Sequence, residues 1–220
     1  MRDPELISRL SGQLAVYLVA DPAQSAGPIE DIVAQALDGG ATCVQLRAKS
    51  MTDREAIAIA RRLRDRCRRF GALFVVNDRV DIALAAGAGG AHLGVDDLPI
   101  EDARRLGGPE FVIGYSPETD EQAAKAARLG ADYLGVGPVF GTASKADAGE
   151  PIGLESLRRR VTISGVPVVG IGGVTARNAG QVIDSGAAGV AVMSAILGAS
   201  NPRQATEKLY SAVRSARGSL

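Results

Sequence analysis

The stretch FVVNDRVDIALAAG, residues 74–87, begins as an apolar strand and ends as an apolar helix. Between the two halves stand an amide, an acid and a guanidinium: Asn77, Asp78 and Arg79. A strand suited to burial that finishes on three polar groups, followed at once by a helix, is one β-then-α unit. Its glycine, Gly87, sits where a helix ends in a left-handed cap, and Ala88 leads into the next strand.

The same unit recurs outward in both directions. Strands are expected at 15–20, 43–48, 73–78, 91–94, 111–116, 133–138, 166–172 and 189–194. Helices are expected after each, near 28–39, 52–70, 80–87, 99–106, 119–129, 154–160, 175–185 and 203–217. The strands are continuous apolar runs, as in parallel sheets covered on both sides. A Gly-Ala pair precedes every second strand: Gly40-Ala41, Gly87-Ala88, Gly130-Ala131 and Gly186-Ala187. Eight such units in 220 residues predict an α/β fold, a single (β/α)8 TIM barrel over residues 1–220, with residues 1–13 as an N-terminal extension. The rival is an open doubly wound sheet. It would carry GxGxxG in the first βα turn, and YLVADPAQSAG does not.

In a barrel the C-terminal strand ends and the loops after them form the active site. These ends are polar throughout. The second carries Gln45, Arg47 and Lys49, and the third Asn77 and Asp78. Asp96 and Asp97 follow the fourth, and Ser116 ends the fifth. Thr142, Ser144 and Lys145 follow the sixth. GIGG closes the seventh strand, and Met193 and Ser194 the eighth. Asn77 and Asp78 are successive, so an ideal strand would point them to opposite faces. Both serve one site if extended pairing ends at or just before Asp78. Arg79 is then expected to point away and pair with an acid such as Asp81.

Composition narrows the function. Basic and acidic residues balance at 25 each, with a pI near 6.6, which argues against a nucleic-acid or membrane-surface binder. No secretory leader or membrane-spanning run is legible. Cys43 and Cys67 are too far apart for a CxxC pair, so free thiols in a reducing cytoplasm are expected. Six arginines crowd residues 61–70, but Ala56, Ala60, Leu63, Cys67 and Phe70 mark the buried stripe of one amphipathic helix, with the charges outside it.

Three groupings carry chemistry. GIGGV and MSAI, after the seventh and eighth strands, suit a phosphate cradled by backbone N–H groups and a hydroxyl. Arg47, Lys49 and Lys145 form a second anion-binding set; two apart on a strand, Arg47 and Lys49 would share a face. Asp78 and Asp97 end neighbouring strands and suit Mg2+, which takes few protein oxygens plus waters and phosphates; Asp96 is the alternative ligand. His92 is the single histidine and reads as a hydrogen-bonded interior residue.

The motifs QLRAK, VNDRVDIALAAGAGGAHLGVDD, GADYLGVGPVFGTASK, GIGGVTARNAG and GVAVMSAI resemble, in order from about Tyr17 to Ile196, the thiamine-phosphate synthase family. The resemblance implies a transferase that joins 4-amino-2-methyl-5-hydroxymethylpyrimidine diphosphate to a thiazole phosphate and releases pyrophosphate. It implies a dissociative route, in which charge grows on the departing pyrophosphate and is met by cations, Mg2+ and oriented donors. Matched residue by residue, Gln45, Arg47, Lys49, Asn77, Ser116 and Lys145 surround the pyrimidine diphosphate. Asp78 and Asp97 match the Mg2+ ligands. Thr142 and Ser144 meet the thiazole phosphate, and Gly173, Met193 and Ser194 cradle it. Ser144 stands where many members have threonine, GYSPET lacks the small residue and histidine that often follow the serine, and Val95 replaces a common glutamine. A thiazole tautomerase of the same fold, which lacks the Asn-Asp pair, and a non-catalytic thiamine-phosphate sensor are the alternatives. The partners expected are small molecules, not nucleic acid or membrane, with a homo-oligomer left open.

Overall fold

The computed structural model describes residues 10–141 and 149–218. Eight strands pair in parallel, each with the next in sequence: β1 (Val16–Ala20), β2 (Cys43–Leu46), β3 (Leu73–Asn77), β4 (Gly90–Leu93), β5 (Val112–Tyr115), β6 (Tyr133–Val136), β7 (Val168–Ile171) and β8 (Gly189–Val192). β1 also pairs with β8, with Tyr17 opposite Ala191, so the sheet is a closed barrel. This is the (β/α)8 architecture expected from the repeat.

Helices follow the strands: α1 (Ile29–Asp38), α2 (Asp53–Arg69), α3 (Val80–Ala86), α4 (Ile100–Gly107), α5 (Asp120–Leu129), α6 (Gly153–Ser164), α7 (Ala179–Asp184), the short α8 (Ser194–Leu197) and α9 (Pro202–Arg217). The outward residues of the strands, such as Leu18, Val44, Phe74, Ile113, Leu134 and Val190, are almost wholly buried. With Val33, Ala60, Leu63, Ala83 and Leu157 from the helices they belong to one continuous apolar core. That coverage explains why the strands read as unbroken apolar runs.

All four repeat glycines have positive φ: 99° at Gly40, 69° at Gly87, 111° at Gly130 and 88° at Gly186. Each ends the passage from helix to strand in a conformation that any Cβ would strain. The helix starts are equally local. Thr52 and Glu55 form a reciprocal capping box on α2, and Thr119 and Gln122 form another on α5.

Several boundaries differ from expectation. Extended pairing stops early, at Leu46, Asn77, Tyr115, Val136, Ile171 and Val192, because the residues beyond have already turned into loops. Arg47 and Lys49 therefore lie past β2, and the argument that a strand aims them to one face does not apply. The helix expected at 175–185 begins at Ala179, since Asn178 closes a turn by accepting from Thr175 N at 2.7 Å. Phe70 is not part of the buried stripe of α2. It lies past the helix end, 50% exposed, and Ile59 takes the place in the stripe. The arginines of α2 tie helices together: Arg61 and Arg64 donate to the carbonyls of Ala85 and Ala86 at the end of α3, and Arg62 pairs with Glu30 on α1.

Residues 10–13 are helical, and Leu10 is buried at 2% exposure, so this part of the N-terminal segment packs on the barrel. Arg217 at the end of α9 donates to the carbonyls of Ser11 and Ala188 and fastens that end. Among the described residues no helix is long and apolar enough to cross a membrane.

Candidate active site

The strand register places residues of the same parity on the barrel interior. Tyr17, Gln45, Asn77, His92, Ser116 and Tyr133 all fall on the inward face. Their side chains form a line of hydrogen bonds. Ser116 Oγ lies 2.8 Å from His92 Nε2, and His92 Nδ1 lies 3.0 Å from the Tyr133 hydroxyl. The two tyrosine hydroxyls are 2.9 Å apart, Tyr17 donates to Gln45 Oε1 at 2.9 Å, and Gln45 Nε2 donates to Asn77 Oδ1 at 2.6 Å. His92 is thus the hydrogen-bonded interior residue that its place in β4 suggested. A buried polar network is favourable only when its members are partnered, and here each of the six is.

Asn77 ends β3, and Asp78 follows with φ of 63°, a left-handed conformation that aspartate tolerates better than most residues. Asp78 N still donates to His92 O at 2.8 Å, while Arg79 N turns back to Asn77 O at 2.7 Å. This tight turn resolves the problem of successive residues. Asn77 keeps its inward place on the strand, and the Asp78 carboxylate swings toward β4, beside Asp97. Arg79 leaves in the other direction, paired with Asp81 at 2.6 Å and Asp53 at 2.9 Å.

Asp97 is held by a short turn after β4, with Oδ2 accepting from Gly94 N at 2.6 Å. Burial, then the neighbouring Asp97 carboxylate, raises the Asp78 carboxyl above its usual range; Lys49, 3.4 Å away, opposes the rise. Two acids crowded together beside one cation form a site that a second cation would relieve. Among the described residues no cluster of three or more metal-ligating side chains exists, so a metal here would rest on this carboxylate pair. Asp96 is exposed.

Arg47 is fixed by Asp21, which follows β1. The pair lies 2.5 Å apart, with side chains 15% and 4% exposed. Asp21 also accepts from Ala23 N at 3.0 Å, capping a short 3-10 turn at Pro22–Gln24. A largely buried pair of this kind adds little net stability but fixes where a guanidinium lies.

On the opposite side, Gly172 and Gly173 both have positive φ, and a Cβ on Gly173 would meet the Gly141 carbonyl oxygen at 2.4 Å. These glycines let the β7 loop lie against the β6 loop. Met193, 8% exposed, and Ser194 form the junction between β8 and α8. Ser116 begins the β5 loop, whose next carbonyls, Pro117 O and Glu118 O, accept from the buried Arg160 guanidinium at 3.1 and 2.6 Å. Arg160 also pairs with Asp120 at 3.0 Å.

The fold therefore gathers Gln45, Arg47, Lys49, Asn77, Asp78, Asp97, Ser116, Gly173, Met193 and Ser194 at one end of the barrel. Thr142, Ser144 and Lys145 lie outside the described residues. Sequence reasoning passed over Tyr17, Asp21, Tyr133 and Arg160. The tyrosines were legible as lone polar tips inside apolar strands, and Asp21 as an acid directly after β1. Arg160, in the run LRRRV, looks like part of a solvated face.

A closed parallel barrel with cations, paired acids and an inward polar line at its C-terminal strand ends has the build of a (β/α)8 enzyme. Comparison with known proteins narrows this. The family pattern described as thiamine monophosphate synthase matches residues 16–196. A thiamine-phosphate synthase of Moorella thermoacetica is 47% identical over 207 residues, covering 94% of this chain and 99% of that protein. One from Haloarcula marismortui is 47% identical over 206 residues, covering 92% and 98%. The solved structure of a thiamine phosphate pyrophosphorylase from Pyrococcus furiosus superposes with a TM-score of 0.87 at 43% identity, covering 94% of this chain and 98% of that one. The chain belongs to the thiamine monophosphate synthase family, and with it to the transferases of thiamine biosynthesis.

Proposed function

We propose that the chain joins an aminopyrimidine methyl diphosphate to a thiazole phosphate, plain or carboxylated, forming thiamine phosphate and releasing pyrophosphate. The observation that carries this reading is the placing of Asp78 against Asp97 with Lys49 beside them, next to an Arg47 already held by Asp21. Such a group meets a diphosphate with charges fixed before it arrives, which is where transition-state stabilisation is largest.

The bond broken joins the pyrimidine methylene carbon to the diphosphate oxygen, and the electron pair leaves with oxygen. The bond formed runs from the thiazole nitrogen to that carbon. No group in the site need act as a strong base. Arg47, Lys49 and Lys145 neutralise the charge that grows on the leaving oxygens. Asn77, Gln45 and Ser116 orient the heterocycle. Backbone N–H groups near Gly173 and Ser194, with the Thr142 and Ser144 hydroxyls, hold the thiazole phosphate. Asp78 and Asp97 would hold Mg2+, which when bound supplies further positive charge to the leaving diphosphate. The paired acids fit that ion, because a dication offsets both the burial and the carboxylate repulsion that raise Asp78.

A reducing cytoplasm suits the two free buried thiols. Burial pushes Cys67 up to about 12 and Cys43 well above its ordinary value, so neither is a nucleophile.

The test is to incubate both substrates with and without Mg2+ and measure thiamine phosphate and pyrophosphate. Both should form in equal amounts and only with the metal. Formation of neither would favour a sensor, and rearrangement of the thiazole without pyrophosphate release would favour a tautomerase.

A further inference from the structure

The hydrogen-bond line from Ser116 to Asn77 has a direction. Tyr17 gives its one hydroxyl proton to Gln45 Oε1, so in the contact between the two phenols Tyr133 is the donor. The Tyr133 oxygen then accepts from Nδ1–H of His92, 3.0 Å away. A neutral imidazole protonated at Nδ1 has a bare Nε2, which accepts the Ser116 proton across 2.8 Å. At the other end the Gln45 amide gives its NH2 to Asn77 Oδ1. Turning the Gln45 amide over would reverse every link, so the line has two self-consistent senses and this structure holds one.

Space has been cleared for this line. An added Cβ at Gly114 would lie 2.2 Å from Tyr133 Cζ and 2.3 Å from His92 Nδ1, and one at Gly135 would lie 2.9 Å from His92 Cε1. Both glycines occupy inward positions that apolar side chains could otherwise fill. Burial raises both phenols well above their ordinary range, so both keep their protons at neutral pH. The tyrosines cross the interior from opposite sides, with ring centroids 6.0 Å apart.

We propose that Tyr17, Tyr133 and His92 are positioning residues that fix the donor and acceptor sense of the two mouth residues they connect. Ser116 gives its proton inward and offers lone pairs to the substrate. Asn77 turns its oxygen inward and offers its NH2. The substrate group that meets Ser116 must then be a donor, such as an exocyclic amine, and the group that meets Asn77 an acceptor, such as a ring nitrogen. This last step rests on the function proposed above; the sense of the line does not.

His92 is the one histidine in the chain, so nitrogen NMR of tag-free, ligand-free protein reads its tautomer without assignment. The wild type should show a neutral ring protonated at Nδ1. Tyr133→Phe removes the acceptor for that proton, and the ring should change to the Nε2–H form, donating to Ser116. Tyr17→Phe is the second cut, for use if Tyr133→Phe does not fold. Tyr133 then turns its proton to Nδ1, with the same tautomer change. Each variant should raise KM for the pyrimidine diphosphate about five- to tenfold, as for one lost hydrogen bond, and leave KM for the thiazole phosphate unchanged. The double variant should be no worse than Tyr133→Phe, because a line cut once is already cut. An Nε2–H or doubly protonated ring in the wild type overturns the proposal. So does a tautomer unmoved by either substitution, or additive effects in the double variant. If no thiamine phosphate forms but the tautomers behave as stated, the functional reading fails and the line stands.

Discussion

Replacing Gly114 with alanine adds one methyl group at the point where the interior line is tightest. The new carbon would sit 2.2 Å from Tyr133 Cζ, 2.3 Å from His92 Nδ1 and 2.4 Å from the Tyr133 hydroxyl oxygen. None of these is the end of a flexible chain: both rings are pinned in the barrel, and Tyr133 is wholly buried. Overpacking of this kind costs about 1–3 kcal/mol. Moving the rings apart also lengthens the His92–Tyr133 contact, and one weakened buried hydrogen bond adds about 1 kcal/mol. The sum, about 2–4 kcal/mol, should lower the melting temperature of a chain this size by roughly 5–15 °C. The control is Gly180→Ala on α7, where the nearest outside atom, Ala216 Cβ, is 4.0 Å away. There alanine should stabilise by up to about 1 kcal/mol through helix propensity. Urea denaturation followed by circular dichroism measures both, and the tautomer of His92 reports whether the line survives in Gly114→Ala. A Gly114→Ala midpoint at or above that of the wild type would refute close packing of this interior.

Asp78→Asn should abolish most turnover yet stabilise the metal-free protein at pH 7. Because the folded state raises the Asp78 carboxyl, stability is lost as pH rises through that window and stays lost above it; the asparagine variant escapes this cost, so melting curves in EDTA should differ at pH 7 and converge below about pH 4. Arg160→Ala should destabilise by about 2–3 kcal/mol, leaving the Pro117 and Glu118 carbonyls without their charged donor, and should raise KM for the pyrimidine substrate as the Ser116 loop loosens; denaturation and steady-state kinetics check the two parts. Lys145→Ala should chiefly lower kcat, since its charge matters most as pyrophosphate leaves, whereas Ser194→Ala should mildly raise KM for the thiazole phosphate, because backbone donors remain; an effect of both on the pyrimidine substrate alone would break the division into two phosphate sites.

The barrel was legible in the chain's local patterns. Unbroken apolar strands, amphipathic helices and a glycine before every second strand are local features, set by backbone conformation and burial of neighbouring residues, so eight repeats could be counted before any contact was known. Local features also place polar groups at the C-terminal strand ends, and Asp78 and Asp97, which end neighbouring strands, meet there. The turn at Asp78 was legible because two successive residues cannot face one way on a strand. Which groups meet across the interior follows only from closure of the barrel. The Tyr17 and Tyr133 hydroxyls touch over a separation of 116 residues because β1 and β6 face each other across a closed cylinder. Arg160 reaches back 43 residues to Pro117, and Asp21 reaches forward 26 to Arg47. Phe70 fits the helical spacing of a buried stripe yet lies half exposed, because its helix ends one residue earlier. Periodicity tells which way a side chain points relative to its own element. What lies opposite depends on strand register and barrel closure, which arise from the packing of the whole chain and leave no mark in any short stretch of it.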